Sequence, residues 1–201
     1  ISIPSDPSSA AFFAALAVIN NNSNLKLTNV LLNESRIGFV EVLNEMNCLI
    51  SKSNESIHNG EKVGDLTISS SNLKAIEIES ETIPSIIDEV PILAVVAAFA
   101  NGTTVFKNVE ELKYKECDRL SAIIHNLEAF GIKAYEKNND LFVEGGKVKR
   151  MPKITSFDDH RIAMAFTILS LTSFEKYELD NEKCVDISLP KFFNYLSEIT
   201  K

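Results

Sequence analysis

The densest group of charged residues in the chain lies at positions 115 to 119. Its members are Lys115, Glu116, Cys117, Asp118 and Arg119. An amphipathic helix is predicted to begin here, because apolar residues recur at helical spacing from Leu120 onward. Two cations and a carboxylate at a helix N-terminus would suit an anionic substrate, since free backbone N–H groups and the helix dipole add to the attraction. Taken alone, the pattern favours a simpler interpretation, a solvated helix start capped by Asp118 or Glu116.

A second charged motif, Asp158-Asp159-His160-Arg161, leads directly into an apolar segment. An arginine in this place is costly unless it is paired or faces a cleft, so an Arg–Asp pair near the surface is the simple alternative. A metal site with Asp158, Asp159 and His160 as ligands would need a further ligand at the proper geometry. We therefore expect no metal here.

Aspartates precede two other apolar segments, at Asp6 and Asp88. Each could simply stabilise the dipole of the helix that follows it. Together with Asp159 they mark three similar helix starts. Two of these three helix starts lie beside an Arg or a Lys. If the three helices are related by pseudo-threefold symmetry, their starts meet at one end of the domain. A positive, carboxylate-bearing cleft would result.

The three aspartates belong to a threefold internal repeat. Each unit is predicted to contain an Ala-rich helix, a short strand, an amphipathic helix and two further strands, over approximately residues 1–80, 81–150 and 151–201. The Ala-rich helices are apolar nearly all round, which predicts that they lie in the interior. The third unit stops without its closing strands, so we expect a segment outside this chain to complete its sheet.

The remaining elements follow from periodicity and turn signals. Strands after the apolar helices are predicted at 25–30, 103–109 and 177–179. Amphipathic helices are predicted at 36–47, from Leu120 to Gly131, and at 190–199. The closing strands are predicted to pair 65–69 with 73–78, and 133–135 with 141–143 through a turn at 138–140.

Composition narrows the class of protein. The net charge of −8 over 201 residues argues against a nucleic-acid surface, because phosphate backbones require clustered Lys and Arg. No apolar run is long enough to span a bilayer, and no signal segment opens the chain. The three widely spaced cysteines predict neither a disulfide framework nor a metal site, which fits a reducing cytoplasm. Because the first residue is Ile, we expect the chain to be part of a longer polypeptide.

In order and approximate spacing, the motifs resemble those of the EPSP synthases (3-phosphoshikimate 1-carboxyvinyltransferases). The matching stretches are 4–13, 84–95, 97–104, 110–122 and 159–166. The resemblance covers essentially the whole chain. It implies an α/β fold, one domain of the enolpyruvyl-transferase fold with three βαβαββ units and buried helices, of which the last is incomplete here. Residues 1–201 would then form the single C-terminal domain of a two-domain enzyme whose active site lies between the domains.

The reaction implied by the resemblance joins shikimate 3-phosphate to phosphoenolpyruvate and releases phosphate, a step in aromatic amino-acid biosynthesis. The 5-hydroxyl of shikimate 3-phosphate adds to phosphoenolpyruvate while the methylene carbon gains a proton, and a tetrahedral intermediate then collapses. By motif, Asp88 would be the base at the hydroxyl, and Glu116 would shuttle the proton at the methylene carbon. No metal or organic cofactor is implied.

The binding residues are likewise implied by the resemblance. Lys115 would bind near the hydroxyl and the carboxylate of shikimate 3-phosphate. Arg119 and Arg161 would hold phosphoenolpyruvate, for which bidentate guanidinium geometry is suited. His160 lies beside them and is a weaker candidate.

Two alternatives stay open at this point. One is the related transferase that acts on UDP-N-acetylglucosamine, and the other is a non-catalytic binding domain of the same fold. The resemblance also implies a monomeric parent enzyme in the cytoplasm, with no nucleic-acid or membrane partner. Its missing N-terminal domain would supply the other wall of the cleft, so we expect the chain alone to be inactive.

Overall fold

The computed structural model describes residues 3–199 and contains helices and strands in mixed order. The helices are α1 (Pro7–Ile19), α2 (Gly38–Glu45), α3 (Ile83–Ile86), α4 (Val90–Ala97), α5 (Arg119–Ala129), α6 (His160–Phe174) and α7 (Phe192–Ile199). The strands are β1 (Asn24–Leu31), β2 (Leu49–His58), β3 (Glu61–Ser69), β4 (Glu77–Ile78), β5 (Thr103–Phe106), β6 (Ala134–Lys137) and β7 (Asp140–Glu144). Short 3₁₀ helices cover Glu110–Tyr114 and Glu182–Ile187.

The three helices that are apolar on all sides lie in the interior, as predicted. Helices α1, α4 and α6 contact one another, and every residue of α4 is buried. In α1 only Ser9 and Ile19 are partly exposed. A helix without a polar face can bury its apolar side chains only if it is packed on all sides. The composition of these helices was therefore enough to predict their interior position.

The two sheets repeat one topology. Their strand orders are β1-β3-β2 and β4-β5-β7-β6. In the second sheet β4 lies parallel to β5. Along the chain, β4 precedes the buried helix α4 and β5 follows it. Ser5 forms the equivalent parallel bridge to Val30 in the first unit, and Ile154 forms one to Leu179 in the third. The predicted α/β class with repeated βαβαββ units is therefore confirmed.

One predicted strand pairing is wrong. The segment 65–69 does not pair with 73–78; it belongs to β3, which pairs with β1 and with β2. Strand β2 went unpredicted because it is polar, and all but one of its residues are exposed. Strand β4, which was assigned to the first unit, lies in the second sheet beside β5. The second unit therefore begins before residue 81.

Other boundaries are shorter than predicted. Strand β5 ends at Phe106 rather than at residue 109, and the strand predicted at 177–179 is a single bridge. The hairpin of β6 and β7 is confirmed. Its loop residues Asn138 and Asn139 have φ values of 56° and 64°, as a two-residue type I′ turn requires.

A helix can cross a bilayer only if it is both long and apolar. No helix among residues 3–199 combines the length and the apolarity that this requires.

The segment after β7 gives a test of how tightly the second sheet packs on α4. A Cβ atom on Gly145 would lie 1.8 Å from the carbonyl oxygen of Ala100, whereas one on Gly146 would meet nothing within 4 Å. We expect Gly145→Ala to lower the free energy of unfolding by about 1–3 kcal/mol, because the backbone must move. Gly146→Ala is the matched control and should have little effect. Urea unfolding followed by circular dichroism measures both; equal effects would contradict the described packing.

Candidate active site

The guanidinium of Arg119 lies at the centre of a group of carboxylates. Its Nε donates to Oδ2 of Asp159 at 2.8 Å, Nη1 to Oδ1 of Asp88 at 2.9 Å, and Nη2 to Oε2 of Glu116 at 2.5 Å. The Arg119 side chain is completely buried. An unpaired charge in such a place would be very costly, so these three partners are a condition of its burial.

Asp159 is held by the helix that it begins. It is the N-cap of α6, and its Oδ1 accepts from the backbone N–H groups of Arg161 at 2.8 Å and Ile162 at 3.3 Å. Its other oxygen is bound to Arg119. Capping therefore fixes the carboxylate in the orientation that the ion pair needs.

The turn before Asp159 is tightly specified. Phe157 and Asp158 both have left-handed backbone conformations, with φ values of 54° and 57°. The carboxylate of Asp158 accepts from Asn181 at 2.7 Å, and its N–H donates to Ser156 Oγ at 3.2 Å. Such backbone strain persists only where the surroundings enforce it. Here the turn directs Asp159 inward and leaves Asp158 exposed.

Asp88 is surrounded by three cations. Besides Arg119, Arg161 Nη2 lies 3.4 Å from Asp88 Oδ2, and Lys115 Nζ lies 3.7 Å from Oδ1. Burial alone would raise the pKa of Asp88, but Arg161, Arg119 and Lys115 together hold the pKa below its usual range. The carboxylate is therefore ionised at neutral pH and can accept a hydrogen bond from a ligand hydroxyl.

Asp88 was considered as a carboxylate that stabilises the dipole of α4, and it precedes the N-cap residue of that helix. Residue 89 is the N-cap of α4 and makes no side-chain capping hydrogen bond. The Asp88 carboxylate binds the cations named above, and 38 % of its side chain is exposed. Asp118 caps α5, as the simpler interpretation predicted, and accepts from Ser121 N at 3.0 Å; Asp6 likewise caps α1 and accepts from Ser9 N at 2.8 Å.

Two neighbouring groups are neutral. Burial lowers the pKa of His160, the first residue of α6, which favours an uncharged imidazole at neutral pH. Burial, followed by the charge of Asp159, raises the pKa of Cys117 to about 12. The Cys117 thiol is therefore not a nucleophile at neutral pH. Across the part of the chain that the structure describes, no three His, Cys, Asp or Glu side chains form a metal-binding group.

The six residues singled out in the sequence are all found at the starts of α4, α5 and α6. They are Asp88, Lys115, Glu116, Arg119, His160 and Arg161. Two partly exposed carboxylates beside cations can accept and donate protons next to a bound anion. Sequence reasoning missed one participant, Glu89, which contacts Arg161. The available signal was its position as a carboxylate leading into an apolar helix, the argument that had singled out Arg161.

One family of known proteins matches almost the whole chain. The model of one family, EPSP synthase (3-phosphoshikimate 1-carboxyvinyltransferase), matches residues 1–196. The chain belongs to the EPSP synthase family.

Curated relatives of this EPSP synthase family chain bear the name 3-phosphoshikimate 1-carboxyvinyltransferase. The one from Sulfurihydrogenibium sp. (strain YO3AOP1) is 41 % identical over 201 residues, which are 100 % of this chain and 47 % of the relative. The one from Clostridium tetani is 42 % identical over 200 residues, or 98 % of this chain and 46 % of the relative. The chain thus spans about half the length of the curated relatives it matches.

Solved structures confirm the fold. An EPSP synthase from Acinetobacter baumannii superposes with a TM-score of 0.94 at 33 % identity, covering 99 % of this chain and 46 % of that one. The enolpyruvyl transferase NikO from Streptomyces tendae gives a TM-score of 0.74 at 16 % identity, covering 100 % of this chain and 44 % of that one. The second likeness shows a shared fold alone.

Two N-cap aspartates of this EPSP synthase family chain allow the buried ion pair to be tested against capping. Asp159→Ala removes a cap and leaves Arg119 short of a buried partner, so we expect a loss of about 3–5 kcal/mol in the free energy of unfolding. Asp118→Ala removes only an exposed cap and should cost about 1 kcal/mol. Urea unfolding followed by circular dichroism gives both values. Equal losses would mean that the Asp159–Arg119 pair adds nothing beyond capping.

Proposed function

We propose that the full-length protein containing this chain transfers the enolpyruvyl (carboxyvinyl) group of phosphoenolpyruvate to the 5-hydroxyl of shikimate 3-phosphate, releasing phosphate. The observation that carries the proposal is the pair of carboxylates, Asp88 and Glu116, bound to adjacent nitrogens of Arg119. The family of the chain and the names of its relatives agree with this activity. The product would serve aromatic amino-acid biosynthesis.

Asp88 and Glu116 have complementary roles in the proposed reaction. In the addition step Asp88 accepts the hydroxyl proton while the oxygen bonds to the central carbon of phosphoenolpyruvate. Glu116, which must be protonated for this step, gives its proton to the methylene carbon as the carbon–carbon double bond is lost. In the elimination step the bond to phosphate breaks, Glu116 takes a proton back from the same carbon, and Asp88 gives up its proton to the departing phosphate. Both carboxylates lie against one guanidinium, so a single substrate can contact both.

Arg119 cannot meet a substrate without a rearrangement. All three of its nitrogens bind protein carboxylates, and its side chain has no exposed surface. Glu116 is the partner free to move, because 52 % of its side chain is exposed. We propose that the carboxylate of phosphoenolpyruvate replaces Glu116 on Arg119. The displaced Glu116 then becomes available for proton transfer at the methylene carbon.

The remaining contacts complete the proposed binding of both substrates. Lys115, whose Nζ is 3.0 Å from Glu111 and 3.7 Å from Asp88, would bind near the hydroxyl and carboxylate of shikimate 3-phosphate. Arg161 would hold phosphoenolpyruvate, with His160 as a neutral hydrogen-bonding neighbour. Lys115, Arg119 and Arg161, which surround ionised Asp88, are the cations that would meet the anionic groups of the two substrates.

The proposal places this chain as one domain, residues 1–201, of a two-domain enzyme. An N-terminal domain of the same polypeptide would form the other wall of the cleft. We further propose a monomeric enzyme in the cytoplasm, with which the free thiols of Cys48, Cys117 and Cys184 agree.

Substitution of the two carboxylates tests their roles in the full-length protein. Asp88→Asn and Glu116→Gln remove proton transfer while keeping shape, so we expect each to lower kcat by about 10²- to 10⁴-fold. Asp118→Asn is the matched control in the same segment, and it keeps the cap of α5. Phosphate release from phosphoenolpyruvate and shikimate 3-phosphate gives the rates. Wild-type protein that releases no phosphate, or variants with unchanged kcat, would contradict the proposal.

The dependence on a second domain gives a separate test. We expect residues 1–201 alone to show no steady turnover, because half of the proposed cleft is absent. The same phosphate-release assay compares this chain with the full-length protein, and circular dichroism confirms that the isolated chain is folded. Turnover by the folded chain alone would disprove the two-domain requirement.

A further inference from the structure

Glu89 is a buried carboxylate to which the mechanism proposed above assigns no role. Only 5 % of its side chain is exposed. Its Oε1 lies 3.5 Å from Arg161 Nη1, too far for a hydrogen bond of normal length. Within residues 3–199 this oxygen has no hydrogen-bond partner. A buried carboxylate with an unsatisfied oxygen costs stability, so its presence at this position needs a cause.

Helix capping does not supply that cause. Glu89 is the N-cap residue of α4, but its side chain accepts no capping hydrogen bond. Packing does not supply it either, because an apolar side chain of similar volume would avoid the burial of a charge. Two polar neighbours face Glu89: Ser8 on α1, through a side-chain hydrogen bond, and the guanidinium of Arg161 on α6, which is its cationic partner.

The contacts of Arg161 use both of its terminal nitrogens but not its Nε. Nη1 donates to the backbone oxygen of Asp88 at 3.1 Å and faces Glu89, and Nη2 lies 3.4 Å from Asp88 Oδ2. Among the described residues Nε has no hydrogen-bond partner. The edge formed by Nε and Nη2 is the one that binds a planar carboxylate in a bidentate manner.

We propose that Glu89 is a positioning residue for Arg161. By drawing Nη1 toward α4, it turns the Nε–Nη2 edge toward the carboxylate or phosphate of phosphoenolpyruvate. This inference rests on the proposed function. Glu89, at the buried start of α4, thus contributes to the recognition of phosphoenolpyruvate without contacting it.

The surroundings of Glu89 make this positioning sensitive to pH. Burial raises the pKa of Glu89, and the charge of Asp88 also raises it. A hydrogen bond from Ser8 on α1 and the charges of Arg161 on α6 and Arg36 before α2 lower it. The net result is a pKa above the usual value. Arg36 Nη2 also donates to Ser8 Oγ at 3.2 Å. As the pH falls, Glu89 gains a proton before an ordinary glutamate would. Neutral Glu89 attracts Nη1 less, so binding of phosphoenolpyruvate should weaken in weakly acidic solution.

The test is Glu89→Gln in the full-length protein, a change that keeps shape and removes charge. We expect the KM for phosphoenolpyruvate to rise about tenfold, as when one charged hydrogen bond to a ligand is misaligned. The KM for shikimate 3-phosphate and kcat should stay within about twofold, since ground state and transition state lose the same contact. Glu41→Gln, on the exposed face of α2, is the matched control and should change nothing.

The pH dependence separates positioning from a merely structural role. In the wild type the KM for phosphoenolpyruvate should rise more steeply toward acid pH than in Glu89→Gln, where the titrating group is gone. Glu89→Asp keeps the charge and should retain part of the steep dependence. A parallel pH profile in wild type and Glu89→Gln, or an unchanged KM, would overturn the inference. If Glu89→Gln does not fold, Glu89→Asp and the wild-type profile carry the same test.

Calorimetric titration with phosphoenolpyruvate alone distinguishes this inference from the proposed function. If the wild type binds phosphoenolpyruvate but releases no phosphate, the proposed function fails. Weaker binding by Glu89→Gln would still support the role of Glu89. If both proteins bind equally, the positioning role is overturned while the reaction can stand. A wild type that binds no phosphoenolpyruvate would overturn both.

Discussion

The guanidinium of Arg119 can be buried only if three carboxylates from separate segments reach it. Asp159 comes from the start of α6, Asp88 from the segment before α4, and Glu116 from the turn before α5. Each bond constrains where a helix begins, so the three helix starts must lie at one point. The exposed parts of Asp88 and Glu116 then face solvent at that point, and the candidate site is a direct result of satisfying one buried charge.

Much of the fold could be predicted because apolar surface dictates burial. The interior positions of α1, α4 and α6 follow from their lack of a polar face, and the hairpin at 138–139 follows from its two asparagines. Strand β2 could not be found by alternation, since its middle residues, 51–56, are polar on both faces. A signal was present nonetheless. Asn59 and Gly60, with φ values of 52° and 84°, form a two-residue turn between β2 and β3.

The residues of the candidate site could be named from their motifs, but their pairing could not. Charge clusters at helix starts have several possible partners, and only the packing of the repeats decides among them. Arg119 was expected to hold a substrate, whereas in the structure it is enclosed by protein carboxylates. The contact of Glu89 with Arg161 was not predicted, because the sequence does not indicate which cation lies next to a buried acid. Such pairings depend on contacts between residues far apart in the chain.

Ion pairs also link the second and third units in both directions. Arg119 of the second unit binds Asp159 of the third, and Arg161 of the third binds Asp88 of the second. If the third unit unravels alone, buried Arg119 loses one of its three carboxylates; if the second does, Asp159 and Arg161 lose their ion-pair partners. Partial unfolding of either one is thus penalised, and the two should open together as one cooperative unit. In this chain the candidate site and the cooperativity of folding depend on the same few atoms.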